Sequence, residues 1–391
     1  MKHIEKLFCN HTASNEHKKF AFSDCMKSAS LVDIFYDEPY LGPIIKENLE
    51  KNNISLGGKF GKVGIKIDEL HKHELDNTYL EICTNAFKCL DTVDRINLLE
   101  NYNVIVYDWI DGGWEVEKMV APSYYKGAKN LIFGSGALSS LDHLGGKTLN
   151  VPVFPMITYS ETMRTGNMPD RSCLDIKNKK IAISSNHKPR LNRLLFLASL
   201  HKKDLLKEVD WSLTVNFDEP GEYNDYFKSP NVSGQRFKSN LVDTEDIRIF
   251  IDAYRSEIPK LLPESSITLF SDCIPFNKRY AGKYHWSIAC ETYTDILFPT
   301  EKTFKSMLAG LPVLTVGGVG LNQHIQSMGF DMPYSDLYDN LTADHLRVEK
   351  VIDIMCNYKA DQESIEHNFN LMNNTNHLAN LVVDPIVKFF T

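Results

Sequence analysis

The alternation of apolar and polar positions along the chain predicts strands interleaved with helices. In the first 100 residues, short strands are expected at 30–35 and 63–67, and apolar residues returning every three or four positions predict a helix over 75–99. Residues 103–109 (NVIVYDW) predict a buried strand that ends in acids and a turn, and residues 130–133 predict another strand. This alternation is typical of an α/β layer architecture.

Between residues 151 and 178 the periodicity is lost among prolines, glycines and polar residues, which predicts a domain boundary. The alternation then returns and predicts a second Rossmann-like half. Its expected strands lie at 180–185, 211–215, 267–270, 286–290 and 313–316, and its expected helices at 189–200, 243–262, 301–309 and 321–328. Residues 342–391 predict two or three amphipathic helices with no strand between them.

The length of 391 residues also favours two domains, because one hydrophobic core rarely grows this large. We therefore predict an α/β domain over 1–175, a nucleotide-binding Rossmann-like domain over 176–345, and C-terminal helices over 346–391 that pack back on the first domain. A cleft between the two domains is the expected place for function.

Composition narrows the class of protein. With 43% apolar residues, 24% charged residues and a formal charge of −8, the chain fits an ordinary globular protein and is too acidic for broad adhesion to nucleic acid, although a local basic groove stays open. No apolar run approaches the roughly 20 residues of a spanning helix, and the polar N-terminal segment predicts a cytoplasmic protein. Eight scattered cysteines, with no C-x-x-C pair, predict reduced thiols and no zinc site.

Residues 181–193 form the first segment with candidate chemistry. A strand is followed by a short polar loop, and Pro189 opens a helix that carries Arg190 and Arg193 in its first turns. Helix N-termini favour anions, and arginine adds forked charged donors, so a diphosphate fits this position. The alternative is a solvated helix start whose arginines pair with local acids.

The second segment, residues 289–313, is the stronger candidate. Glu291 ends a strand, Thr300 is the expected N-cap of a helix, and Lys302 lies in the first helical turn. A cation there opposes the helix dipole, so a bound anion explains its presence, whereas the plainer alternative is a lysine that reaches into solvent. Glu291 and Glu301 are suited to accept hydrogen bonds from vicinal sugar hydroxyls.

Together the two segments resemble the donor-binding half of α-1,3-fucosyltransferase-like enzymes, over residues 180–330. The matching residues are Ser185-Asn186 with Arg190 or Arg193, Glu291, Phe298, Thr300-Glu301-Lys302 and Leu311-Pro312-Val313. Thr292, Leu297 and Phe298 depart from the family pattern, which leaves the base and the sugar open. The resemblance implies the GT-B fold, in which two Rossmann-like domains face a cleft.

By this resemblance Lys302 and the arginine pair hold the donor diphosphate, Glu301 binds a ribose hydroxyl, Phe298 lies near the base, and Glu291 lies near the transferred sugar. The expected donor-binding residues are Asn186, Arg190, Arg193, Phe298, Thr300, Glu301, Lys302 and Lys305. The nucleotide diphosphate-sugar is a co-substrate, and no other cofactor is expected.

A general base is expected in the first domain, where a carboxylate at a strand end faces the acceptor hydroxyl. Asp108 and Asp111 are best placed, although helix caps and turn acids look the same in sequence, and Glu291 completes the catalytic candidates. No D-x-D motif ends a strand, so a metal is not expected and the arginines and lysines neutralise the leaving diphosphate.

These observations predict a glycosyltransferase that moves a sugar from a nucleotide diphosphate donor to a hydroxyl acceptor, with inversion as the expected outcome. The acceptor is a glycan or, as in viral glycosyltransferases, a hydroxylated base in DNA. For binding to DNA, Lys118, Lys126, Lys129 and Lys147 could supply a basic surface.

Two other classes of protein stay open. One is a dinucleotide-dependent oxidoreductase, although Gly134-Ser135-Gly136 lacks the third glycine of the dinucleotide-binding fingerprint. The other is an inactive nucleotide-sugar-binding module. The sequence does not indicate an oligomeric state.

Overall fold

The computed structural model describes residues 1–8, 30–109, 127–137, 146–175, 180–185, 191–212, 244–261, 281–291 and 297–391. The chain divides into two compact units, one formed by Met1–Met156 with Thr375–Thr391 and the other by Ile157–Asn374. Within the described ranges, no helix combines the length and apolar character needed to cross a lipid bilayer.

The first unit is built on a seven-stranded parallel sheet. Its strands are β1 (Lys2–Phe8), β2 (Ile54–Leu56), β3 (Ile65–Lys66), β4 (Thr78–Cys83), β5 (Asn103–Asp108), β6 (Asn130–Ser135) and β7 (Lys147–Asn150). They follow the order β2-β1-β4-β5-β6-β7, and β3 pairs with the end of β1. Its described helices are α1 (Leu31–Asp37), α2 (Gly42–Lys51), α3 (Thr84–Cys89) and α4 (Thr92–Asn101).

The chain passes from the first unit to the second inside helix α5 (Phe154–Arg164). The second unit has a four-stranded parallel sheet in the order β11-β10-β8-β9. These strands are β8 (Lys180–Ser185), β9 (Val209–Ser212), β10 (Tyr284–Cys290) and β11 (Val313–Val316). The helices are α6 (Leu191–Lys202), α7 (Thr244–Leu261), α8 (Glu301–Leu308), α9 (Leu321–Ser327), α10 (Asp344–Asn357) and α11 (Gln362–Met372).

Each sheet is covered by apolar helix faces, which is the α/β architecture predicted from the alternation of elements. In the first unit Leu80 and Val104 of the central strands belong to a core that also contains Leu98 of α4. In the second unit Trp286 and Leu314 pack with Phe196 of α6 in a core that extends to α7 and α10. Parallel strands buried on both faces account for the continuous apolar runs in their sequence.

The last 50 residues are three helices with no strand between them, as predicted, but they divide between the two units. Helices α10 and α11 belong to the second unit, and only the last helix, α12 (Thr375–Phe390), returns to the first. There it packs on α2 and β7 and buries Leu378, Val382 and Ile386. The boundary between the two units therefore falls near residue 156, and α12 is assigned to the first unit because it packs there.

The predicted strand over 30–35 is wrong, because this segment forms helix α1. Ser30 caps the helix: its Oγ accepts a hydrogen bond from the Asp33 backbone N–H at 2.9 Å, and the Asp33 carboxylate accepts one from the Ser30 N–H. Apolar residues at 31, 32, 34 and 35 then fall on one helix face, which a short window does not distinguish from a buried strand.

The predicted helix over 75–99 is also wrong in its first half, which forms strand β4. Its apolar positions are buried on both faces of the sheet, so the period-two alternation of a half-exposed strand is missing. Only α3 and α4 within this range are helical, and Asp91 starts α4 by accepting a hydrogen bond from Asp94 N at 2.8 Å. The predicted strand at 267–270 lies outside the described residues.

Candidate functional site

The carboxyl edge of the second sheet contains a point at which the strand order reverses. After β8 the chain continues through α6 to β9 on one side, whereas after β10 it continues through α8 to β11 on the other side. In open parallel sheets, ligands bind in the crevice outside such a reversal. The edge between β8 and β10 is therefore the position to search for a site.

Two buried side chains in the first turn of α6 form hydrogen bonds with this edge of the sheet. Asn192 donates its Nδ2 hydrogens to the carbonyl oxygens of Glu291 and Val316, the latter at 2.9 Å. Arg193 donates its Nε–H to the Cys290 carbonyl at 3.2 Å, and the arginine is buried. The predicted anion-binding residue Arg193 thus lies against the end of β10.

Helix α8 begins at the same edge, and Glu291 organises its start. Thr300 is the N-cap residue, as predicted, but its own side chain makes no capping hydrogen bond. Instead Glu291 Oε1 accepts hydrogen bonds from Thr300 N at 2.9 Å and from Thr303 Oγ1 at 2.6 Å, and Glu291 Oε2 accepts one from Thr300 Oγ1. Glu291 is fully buried, so both of its oxygens serve the helix start.

Two lysines of α8 share one accessible carboxylate. Lys302 Nζ lies 2.7 Å from Glu301 Oε1 and 3.3 Å from Thr300 Oγ1. Lys305 is only 6% exposed. Burial alone would raise the pKa of Glu301, but the charges of Lys302 and Lys305 outweigh it and lower that pKa to about 2. The helix start therefore places two ammonium groups beside one accessible carboxylate.

The charges of α6 and α8 converge around the end of β10. Burial raises the pKa of the Cys290 thiol to about 12, and the positive charges of Arg193 and Lys302 both oppose that rise. Each cation must lie near the Cys290 sulfur to act on it. Burial also raises the pKa of Glu291, against the influence of Lys302 and of the hydrogen bonds from Thr300 and Thr303.

The remaining sequence-predicted residues are distributed as follows. Phe298 is buried, with 3% of its surface exposed, so its ring presents little area to a base. Asn186, Arg190 and Asp111 lie outside the described residues. Asp108 ends β5 in the first unit, where it is buried and pairs in register with Ser135 of β6. Of the proposed DNA-facing lysines, Lys129 and Lys147 are exposed, and Lys118 and Lys126 lie outside the described residues.

The first sheet has a strand-order reversal of its own, between β1 and β4, and a buried glutamate that the sequence did not single out. Glu81 of β4 accepts hydrogen bonds from the Leu31 N–H at 2.8 Å, from the Val32 N–H, and from Trp109 Nε1 at 2.8 Å. Burial raises the pKa of Glu81 to about 7, although these three donors lower it. Glu81 thus holds the start of α1 in the way that Glu291 holds the start of α8.

Sequence reasoning also missed Asn192 and Thr303. A signal for Thr303 exists in the pattern Thr-x-x-Thr at a helix start that follows a strand-end glutamate, because threonine hydroxyls can donate to a buried carboxylate. Within the described ranges, no group of three or more acidic, histidine or cysteine side chains is arranged to hold a metal ion.

Comparison with known proteins gives no match to this chain among family models, curated protein sequences or solved structures.

Proposed function

We propose that the second unit binds a nucleoside diphosphate-sugar at the edge between β8 and β10, and that the protein is a glycosyltransferase acting on a hydroxyl acceptor. The observation that carries this proposal is the pair Lys302 and Lys305, whose charges both act on the one accessible carboxylate, Glu301. Lys305 is 6% exposed. Two ammonium groups held close together stabilise a further anion beside them, so a ligand anion is the expected partner.

A diphosphate suits this position better than a single carboxylate would. The cations come from two elements, Arg193 on α6 and Lys302 with Lys305 on α8, which matches a ligand with several charged oxygens. They also sit at a strand-order reversal, where nucleotides bind in open parallel sheets. During transfer, the same cations would stabilise the charge that develops on the leaving diphosphate, without a metal ion.

Glu301 is the proposed ligand of the ribose. Its side chain is 29% exposed, and its lowered pKa keeps it ionised at neutral pH, so it can accept hydrogen bonds from vicinal hydroxyls. The resemblance of residues 180–330 to α-1,3-fucosyltransferase-like enzymes supports the same assignment. The proposal extends to a GT-B arrangement in which the first unit supplies the acceptor side, and to inversion with Asp108 as the general base; a glycan is the proposed acceptor.

Isothermal titration with UDP, GDP and their sugars tests the donor site. Wild-type protein should bind at least one nucleoside diphosphate, and Lys302→Ala or Lys305→Ala should weaken that binding by about 10- to 100-fold, as expected for the loss of a charge-assisted contact. Lys350→Ala removes a half-buried lysine of the same unit, which pairs with Asp353, and serves as the control. Wild-type protein that binds no diphosphate, or that binds only a nicotinamide dinucleotide, would contradict the proposal.

A further inference from the structure

Glu291 was expected from the sequence to lie near the transferred sugar, but its carboxylate is enclosed by the start of α8. We propose, on the premise of the donor site described above, that Glu291 is a positioning residue which aims Lys302 at the diphosphate through Thr300. It touches neither the sugar nor the phosphates. This inference is distinct from the donor site itself, because it concerns how the site is held in place.

The contacts form a continuous chain from Glu291 to the lysine. Glu291 Oε2 accepts a hydrogen bond from Thr300 Oγ1, and Thr300 Oγ1 in turn accepts one from Lys302 Nζ at 3.3 Å. Glu291 Oε1 binds both the Thr300 N–H and the Thr303 hydroxyl. The carboxylate therefore fixes the N-cap residue and the third residue of α8, and Lys302 lies between them.

This arrangement also changes what the helix start offers to a ligand. A threonine at the N-cap usually turns its hydroxyl onto the N–H groups of the first turn. Here Glu291 draws the Thr300 hydroxyl away, and Thr300 makes no capping hydrogen bond. The Thr303 N–H donates instead to the Thr300 carbonyl at 3.2 Å, and the Glu301 N–H donates to its own carboxylate, so what the helix start offers to an anion is the ammonium group of Lys302.

The second unit contains a matched case without lysines. Asp339 is buried and accepts hydrogen bonds from the N–H groups of Asn322 at 3.0 Å and Gln323 at 3.1 Å, at the start of α9. It also accepts one from Asn322 Nδ2. Asp339 thus stabilises a helix start of the same sheet but leads to no cation, so Asp339→Ala separates loss of stability from loss of positioning.

The experiment measures the dissociation constants of inorganic pyrophosphate, a nucleoside diphosphate and its sugar conjugate for Glu291→Ala, Glu291→Gln, Thr300→Val and Asp339→Ala. Glu291→Ala and Thr300→Val should weaken pyrophosphate and diphosphate binding about tenfold, which corresponds to about 1.4 kcal/mol. Glu291→Gln keeps an acceptor for the Thr300 N–H and should restore affinity to within about threefold of wild type, a difference of about 0.7 kcal/mol. Asp339→Ala should lower the melting temperature without weakening the binding.

The outcomes separate the two proposals. If wild-type protein binds none of the probes, the donor site and the positioning role both fall. If wild type binds but Glu291→Ala binds pyrophosphate equally well, the positioning role alone is overturned. A loss confined to the sugar conjugate also overturns it, because that result places Glu291 against the sugar. Thr300→Val tests the same chain of contacts if Glu291→Ala does not fold.

Discussion

In both sheets of this protein a buried glutamate binds a helix start, but the charged groups around the two glutamates differ. In each, a buried glutamate at a strand-order reversal accepts hydrogen bonds from a helix start, Glu81 for α1 and Glu291 for α8. Around Glu81 the further donor is the indole of Trp109, and the nearby Lys6 pairs with Asp33 at 2.8 Å. Around Glu291 stand Lys302 and Lys305, with one accessible carboxylate for both.

The difference shows which charges the fold needs. A buried carboxylate is sufficient to hold a helix start, because Glu81 does so in the first unit without an unmatched cation. Asp339 does the same at α9 in the second unit. The two lysines of α8 therefore have no counterpart in this structural role at α1, and the proposed diphosphate site gives them one.

The largest effect is expected from removal of the first-unit glutamate. Glu81→Ala leaves the Leu31 N–H and the Trp109 indole buried without their acceptor, which should lower the free energy of unfolding by about 3 kcal/mol or more. Denaturant unfolding monitored by tryptophan fluorescence measures the change. Glu81→Gln, which keeps one acceptor oxygen, should lose less, and an equal loss in both variants would contradict this account.

The next largest effect is expected in the pH dependence of stability, through Glu81 in the first unit. The folded-state pKa of Glu81, about 7, lies above its unfolded value near 4.5, so the folded chain binds more protons between these values. The contribution of Glu81 is thus complete below about pH 4.5 and is lost as the pH rises through 7, by roughly 3 kcal/mol at most. The difference in unfolding free energy between wild type and Glu81→Gln should therefore grow in favour of wild type as the pH falls from 7 to 4.5. Parallel curves would refute this account.

Replacement of Lys305 is expected to change protein stability and diphosphate binding in opposite directions. Lys305→Met removes the positive charge from a side chain that is 6% exposed, and should stabilise the free protein by about 1–2 kcal/mol while weakening diphosphate binding. Lys6→Met, which breaks the pair with Asp33, should instead leave stability unchanged or slightly lower. Thermal melts with and without diphosphate measure both effects. A destabilised Lys305→Met protein would mean that the lysine is structural.

The smallest effect is expected from Thr303→Val. This variant removes one of the three hydrogen bonds to Glu291 and should cost about 1 kcal/mol of stability. Diphosphate affinity should change less than in Thr300→Val, because the contact between Thr300 and Lys302 stays in place. Denaturation and titration of the two valine variants side by side make the test; a stronger binding defect in Thr303→Val would reverse the assigned order.

The sequence predicted the second sheet better than the first. Strands β8 and β11 were placed at their observed bounds, and β10 and α8 nearly so, because short apolar runs there are separated by clear loops and by the Thr300 N-cap. In the first unit, β4 is a central strand buried on both faces, and its apolar run merges with those of α3 and α4. Periodicity over one window could not separate them.

The candidate site was predicted in part. The Thr-Glu-Lys start of α8 follows from local patterns of strand, loop and helix, whereas the burial of Arg193 against the end of β10 does not. Nor does the enclosure of Glu291, because it requires residue 300 to meet residue 291. A glutamate that binds a ligand and a glutamate that binds a helix start cannot be told apart from the sequence alone.

The return of α12 has a consequence for how the protein is made on the ribosome. Tyr79 of β4 packs edge-on against Phe390, and Lys2 of β1 donates a hydrogen bond to the Phe390 carbonyl. These contacts of β1 and β4 therefore form only after α12 has been synthesised. The second unit holds all of its residues in one uninterrupted stretch, so it can finish folding before α12 completes the first unit.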